Sequence, residues 1–161
     1  MDASASKLEF AATFEKTAAP GVFKTFDARV SLDPEKLAES RIDVTIDVTS
    51  ADMQSADVNK AIRGPEWFDI QRFPKAEFHA ADIRRAEGGH YVARGTLTLK
   101  GMPQPVEVLF GWVETADTAT MEGATVVKRG AFGIGTGEWA ATNVIGADVT
   151  IKFNVRLRRS R

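Results

Sequence analysis

The chain has 161 residues, 43% hydrophobic and 27% charged, with a net charge of −1 and a sequence pI near 6.1. That length suits one domain with a sizeable core, and the near-neutral charge argues against a nucleic-acid partner, which calls for a basic excess. The absence of cysteine removes disulfides and thiolate chemistry, and no apolar run is long enough to span a bilayer.

Met1 to Ser6 (Met-Asp-Ala-Ser-Ala-Ser) carries neither the positive nor the apolar stretch of a signal peptide, so the chain reads as cytosolic or as a mature domain cut from a longer precursor or fusion. Lys7 to Phe14 alternates, with Leu8, Phe10, Ala12 and Phe14 on one face, which predicts a half-buried strand. Thr17 to Gly21 reads as a turn. Val22 to Leu32 reads as one strand, with Phe26, Ala28, Val30 and Leu32 inward. Asp33-Pro34 predicts a short helical turn through Ala38, capped by Asp33. Arg41 to Val48 is the clearest strand: Ile42, Val44, Ile46 and Val48 point one way, while Arg41, Asp43, Thr45 and Asp47 point the other. Ser50 to Arg63 changes to a helical period through Met53, Val58 and Ile62, and Gly64-Pro65 stops it.

Gly64 to Phe78 is the densest aromatic stretch, holding Trp67, Phe68, Phe73 and Phe78. Pro65 and Pro74 forbid one continuous helix or strand, so it is a folded connection that leads into a strand near Lys75. So much apolar area must press onto an apolar surface. The residue types fit two roles equally: a plug completing a core, or a lid over a cavity at the open end of a barrel.

Ala76 to Arg84 then alternates through Ala76, Phe78 and Ala80, and Glu87-Gly88-Gly89-His90 makes a hairpin turn. Tyr91 to Lys100 follows with Tyr91, Ala93, Gly95, Leu97 and Leu99 on one face. Gly101-Met102-Pro103 turns the chain into a strand carrying Val106, Val108, Phe110 and Trp112. Thr118 to Lys128 and Ala147 to Leu157 complete the set, the last with Val149, Ile151, Phe153, Val155 and Leu157 inward. Eight period-two strands joined mostly by short turns predict an all-β, eight-stranded antiparallel barrel with one short helical excursion. Closure would remove the exposed edges of such amphipathic strands. The basic end, Arg156, Arg158, Arg159 and Arg161, reads as a solvated tail.

The inward faces mix rings with Ala12, Ala28, Ala80, Ala93 and Gly95. Small residues there either fit the taper of a packed barrel or leave a channel. A void forfeits dispersion contacts that an apolar guest would restore, so a long alkyl or prenyl chain suits the interior better than a polar substrate. Chemistry is sparse. His79 and His90 read as surface residues, no His, Asp and Glu share metal-ligand spacing, and Asp43 and Asp47 sit on an outward face. Gly133-Ile134-Gly135-Thr136-Gly137 lacks the ending of a phosphate loop and reads as a connection packed under Phe132 and Trp139. No catalytic set, metal site or covalent cofactor is expected. A lipid-modifying enzyme and a filled structural or interaction module are the alternatives to a lipid binder.

Trp67-Phe68-Asp69 with Phe73-Pro74 and Phe78, then Gly95-Thr96-Leu97-Thr98-Leu99-Lys100-Gly101 with Pro105-Val106, then Arg129 before Phe132-Gly133-Ile134, resemble the YceI-like, polyisoprenoid-binding, lipocalin-like proteins in order and spacing. The resemblance covers nearly the whole chain. It implies a single lipocalin-like barrel that holds a polyisoprenoid, an isoprenoid quinone or a fatty-acid derivative as a carrier or store. It also implies a periplasmic or other extracytoplasmic setting, fusion to or partnership with a b561-type membrane cytochrome in some members, and homodimers in others. Where many members carry Asp and His ahead of the helix Leu-Arg, this chain has Asn59 and Ala61 before Ile62-Arg63, and Ala131 replaces the Asp before Phe-Gly. The roles of those polar residues do not transfer.

The expected ligand wall is Phe10, Phe14, Phe26, Val44, Ile46, Phe78, Leu97, Leu99, Val108, Phe110, Ile151 and Phe153 from strand phase, with Trp67, Phe68, Phe73, Phe132 and Trp139 from the connections. Arg129 is either a head-group contact or, as the residue types favour, a surface ion pair or a brace to a loop carbonyl.

Overall fold

A computed structural model describes residues 6–14, 17–33, 35–53, 55–64, 67–134, 146 and 148–158. Ten strands are formed: β1 (Lys7–Phe14), β2 (Thr17–Phe23), β3 (Phe26–Ser31), β4 (Arg41–Asp47), β5 (Ala51–Asp52), β6 (Lys75–Arg85), β7 (His90–Leu99), β8 (Met102–Glu114), β9 (Thr118–Lys128) and β10 (Asp148–Arg158). One antiparallel sheet orders them β3-β4-β6-β7-β8-β9-β10-β1-β2-β5 and curls into a half-barrel around the apolar faces.

Ten strands replace the eight expected runs because one run breaks and one short strand forms where a helix is expected. Val22 to Leu32 divides at Lys24-Thr25, its first residues ending β2 and the rest forming β3, while β5 follows the 3-10 turn Val48–Ser50 inside the Ser50 to Arg63 stretch. The bends lie together. Asp47 N–H donates to Thr25 O at 3.0 Å, and Lys24 N–H to Ser50 O at 3.3 Å. The two ends of the sheet, β3-β4 and β2-β5, are therefore joined through bent chain rather than through an unbroken ladder.

Thr17 to Gly21 is strand, not the expected turn, and pairs with β1 from Phe14↔Thr17 to Phe10↔Gly21. Pro20 is tolerated because β2 gains its second ladder partner only at Val22 and Phe23. Likewise β8 starts at Met102, earlier than expected. Pro103 and Pro105 pair with β7, on a stretch that β9 does not reach with its ladder. The turn before it is Lys100-Gly101, both at positive φ, and the Phe73 ring lies 2.7 Å from where a Gly101 Cβ would stand.

The helix α1 is shorter than expected, Ala56–Ile62, with Ser55 Oγ accepting from Val58 N–H as its N-cap. Asn59 pins it to the sheet end: its Oδ1 accepts from Met53 N–H at 2.8 Å and its Nδ2 donates to Asp52 Oδ1 at 3.0 Å. The helical turn expected from Asp33 to Ala38 is a 3-10 turn over Leu37–Glu39, and Asp33 Oδ1 accepts from Glu35 N–H. Pro34, Pro65 and Ala147 lie outside the described residues.

Packing divides the interior into two halves. Ile42, Ala80, Ile83, Tyr91, Ala93, Phe110 and Met121 form a tight cluster at one end, with Tyr91 stacked on Phe110 at 5.7 Å. Rings and loops gather at the other end.

Candidate functional site

The ring-rich half encloses a cavity of about 580 Å³, inside the 300–1,000 Å³ range of small-molecule sites. Three rings build one wall. Phe10 lies 4.8 Å from Phe23 and 6.3 Å edge-on from Phe68, and Phe23 lies 6.1 Å from Phe68. Gly21 makes room for this group, since a Cβ there would stand 2.5 Å from the Phe10 ring. Leu99, Val127, Phe132, Ile134, Val149 and Ile151 continue the lining. Thr13, Thr17, Asp57, Val58 and Ala61 mark the rim, where β1, β2 and α1 meet solvent.

Trp67 and Phe68 are held by a compact turn after α1. Phe68 N–H donates to Ile62 O at 2.9 Å, and Asp69 N–H to Gly64 O at 2.9 Å. Asp69 is buried at φ +50, a left-handed conformation that aspartate tolerates better than most residues, with Arg72 3.6 Å from its carboxylate. Both rings are half-buried and border the cavity. The aromatic connection is thus a wall of an open space rather than filler of a closed core.

Arg129 stands in the same wall and is only 3% exposed. The 3-10 turn Arg129–Phe132 aims it so that Nε donates to Gly146 O at 2.9 Å and Nη1 to Ile134 O at 3.1 Å. Its guanidinium lies 5.9 Å from the Trp67 ring centroid. Burial lowers its pKa below the ordinary arginine value. Two carbonyl bonds make Arg129 a brace for the turn and for Gly146.

Below this space a smaller pocket of about 90 Å³ continues along the same strands. Ile151 lines both. Phe26, Val44, Ile46, Phe78, Leu97, Val108, Phe110 and Phe153 line the smaller one, so strand phase places them inside as expected. Phe10, Trp67, Phe68, Leu99, Arg129, Phe132 and Ile151 line the larger. Phe73 belongs to neither. It packs on the Lys100-Gly101 turn with Arg72 above its ring at 5.1 Å. Trp139 and the Phe14 side chain lie outside the described residues.

Strand phase did not indicate Phe23, Ala18, Ala19, Pro20, Ala61 or Ile134, which also line the large cavity. Phe23 had a usable signal. It stands three residues from Phe26, and both can face inward only if the strand bends between them.

The histidines stand apart. His79 sits on the outer face with Nδ1 2.7 Å from Asp43 and Nε2 3.2 Å from Glu77. These bonds, Asp43 first, raise its pKa above 6.5. The protonated ring therefore adds stability that is fully present below about pH 6.5 and is lost as pH rises through the higher folded value. His79→Gln should flatten that part of the pH profile of the denaturant midpoint, and added salt should shrink the difference because the ring is exposed. Equal midpoint profiles for the two proteins would contradict the assignment. Among the described residues no three His, Asp or Glu side chains are grouped to hold a metal.

A curled antiparallel sheet around an apolar cavity, walled at one end by rings from a connection, defines a lipocalin-like protein. The chain belongs to the YceI-like domain family, whose model matches residues 1–157. The crystal structure of BcnA from Burkholderia cenocepacia is similar with a TM-score of 0.93 and 35% identity, covering 96% of this chain and 98% of that one. UPF0312 protein plu2095 of Photorhabdus laumondii is 36% identical over 86 residues, 53% of this chain and 44% of the relative. Protein YceI of Salmonella arizonae is 33% identical with the same coverage, so the match spans less than half the length of these curated relatives. A polyisoprenoid binding domain from Saccharophagus degradans, described as implicated in plant cell wall breakdown, shares the fold with a TM-score of 0.76 at 18% identity.

Proposed function

We propose that the chain is a non-enzymatic binding domain that holds one long apolar lipid in the ring-walled cavity. A polyisoprenoid, an isoprenoid quinone or a fatty-acid derivative fits this reading, with the protein acting as an extracytoplasmic carrier or store. The observation that carries it is the lining. Among the described residues around about 580 Å³, only Asp57 and Arg129 are charged; Asp57 is exposed at the rim and Arg129 is bonded to backbone carbonyls. A polar substrate would find few partners there, whereas each buried methylene gains about 0.8 kcal/mol gross. Membership of the YceI-like family and a fold neighbour described as a polyisoprenoid binding domain support the same class of guest. A single domain, a b561-type or other membrane partner and a homodimer belong to this reading as well.

Native mass spectrometry of protein purified without detergent or organic solvent tests it. The expected spectrum contains a complex heavier by one lipid, which organic extraction releases as an isoprenoid, quinone or fatty chain. Repeated recovery of lipid-free protein that also ignores added lipid would remove the proposal.

A further inference from the structure

The cavity has one open end and one closed end, and the closed end contains small side chains. The rim at Thr13, Asp57 and Ala61 meets solvent. At the far end the Tyr91–Phe110 stack packs with Ile83 and Met121, all less than a tenth exposed. Just above that floor lies the pocket of about 90 Å³, and Ala28 and Ala93 stand in its wall, 2% and 0% exposed. They come from different strands, β3 and β7, and each faces space that a larger side chain would occupy.

We propose that this blind pocket sets the length of apolar chain that the protein accepts, with Ala28 and Ala93 as the residues that determine it. The proposal rests on the lipid-binding reading above. Along β10, Val149 lines the outer cavity, Ile151 both, and Phe153 and Val155 the inner pocket. The stretch from Val149 to Val155 measures about 20 Å at ~3.4 Å per residue. An extended alkyl chain covers that depth with on the order of 16 carbon–carbon bonds, each advancing ~1.25 Å. A shorter chain leaves the inner pocket empty and forfeits its contacts. A longer one meets the packed floor, and its extra carbons stay at the rim in water and gain no burial.

Straight-chain primary alcohols of graded length test this through displacement of the uncharged fluorophore N-phenyl-1-naphthylamine. Affinity should rise about fourfold per added methylene and level off near sixteen carbons, on the order set by the strand rise. Ala28→Leu and Ala93→Leu each fill the pocket from a different side. In each, the levelling-off point should fall by about three carbons, which lowers affinity for the sixteen-carbon alcohol about sixtyfold. Filling an empty apolar space should hold or raise the melting temperature, so melting curves show that the variants are folded. If one variant fails to fold, the other and the wild-type length profile still decide. Affinity that climbs unbroken to the longest alcohol, or folded variants that level off at the wild-type length, would overturn the ruler while leaving lipid binding intact. Failure of every alcohol to displace the probe would instead remove the lipid-binding reading, and the ruler with it.

Discussion

Arg129→Met is expected to cost about 3 kcal/mol of folding stability. The guanidinium is 3% exposed and donates to the carbonyls of Gly146 and Ile134. Charged hydrogen bonds are each worth about 1.5–3 kcal/mol, and their loss leaves carbonyl oxygens without these donors inside the protein. For a chain of this size the melting temperature should fall by about 6–12 °C. Arg129→Lys should recover little, because one compact ammonium replaces a planar fork that serves two separate acceptors. Loss of the brace should weaken charged-head and uncharged-head lipids alike. A melting temperature within a degree or two of wild type, with a selective loss for phosphate-headed lipids, would make Arg129 a ligand contact instead.

Trp67→Ala is expected to release bound lipid at least tenfold faster while costing about 2 kcal/mol of stability. A fully buried large aromatic costs about 3–5 kcal/mol on truncation to alanine, but Trp67 is half-buried and borders open space. Its ring also lies beneath the Arg129 guanidinium at 5.9 Å and packs with both the Phe10 and the Phe132 clusters. Removing it opens the cavity between α1 and the Arg129 turn and lets water reach a bound chain. Denaturant midpoint and lipid off-rate, measured on the same preparation, separate the two effects. A midpoint loss of the fully buried size with an unchanged off-rate would make Trp67 a core plug.

The inward face of most strands was legible because one face is buried and the other wet. Alternation alone placed Leu97, Val108, Phe110, Ile151 and Phe153 in the interior. The curled antiparallel sheet followed from the number and order of such runs, and the YceI-like motifs pointed to the same family that the comparisons show. What alternation could not express was a strand that bends. At Lys24-Thr25 the phase shifts, which brings Phe23 inward and splits one expected run between β2 and β3, and β5 forms where the period reads as helical. Pro20, Pro103 and Pro105 argue against strand by residue type, yet each sits in a strand where the ladder has no partner on one side. The cavity itself was legible only as an excess of small inward residues. Ala18, Ala19 and Ala61 carry no periodic apolar signal, and their place in the wall follows from how β2 and α1 pack across the mouth. Phe73 shows the converse: an aromatic in a ring-rich connection that packs on the Lys100-Gly101 turn and not in the cavity wall.

The central claim is that an apolar chain occupies the space between the rim and the packed floor. Electron density in crystals of protein never exposed to detergent or solvent extraction tests it most directly. The predicted result is a continuous tube of density that begins near Thr13 and Asp57, passes between Phe68 and Phe132, and narrows past Ile151 toward Ala28 and Ala93. Density for ordered water alone, or Trp67 and Phe68 collapsed onto Phe132 so that the space is filled by the protein's own rings, would contradict it.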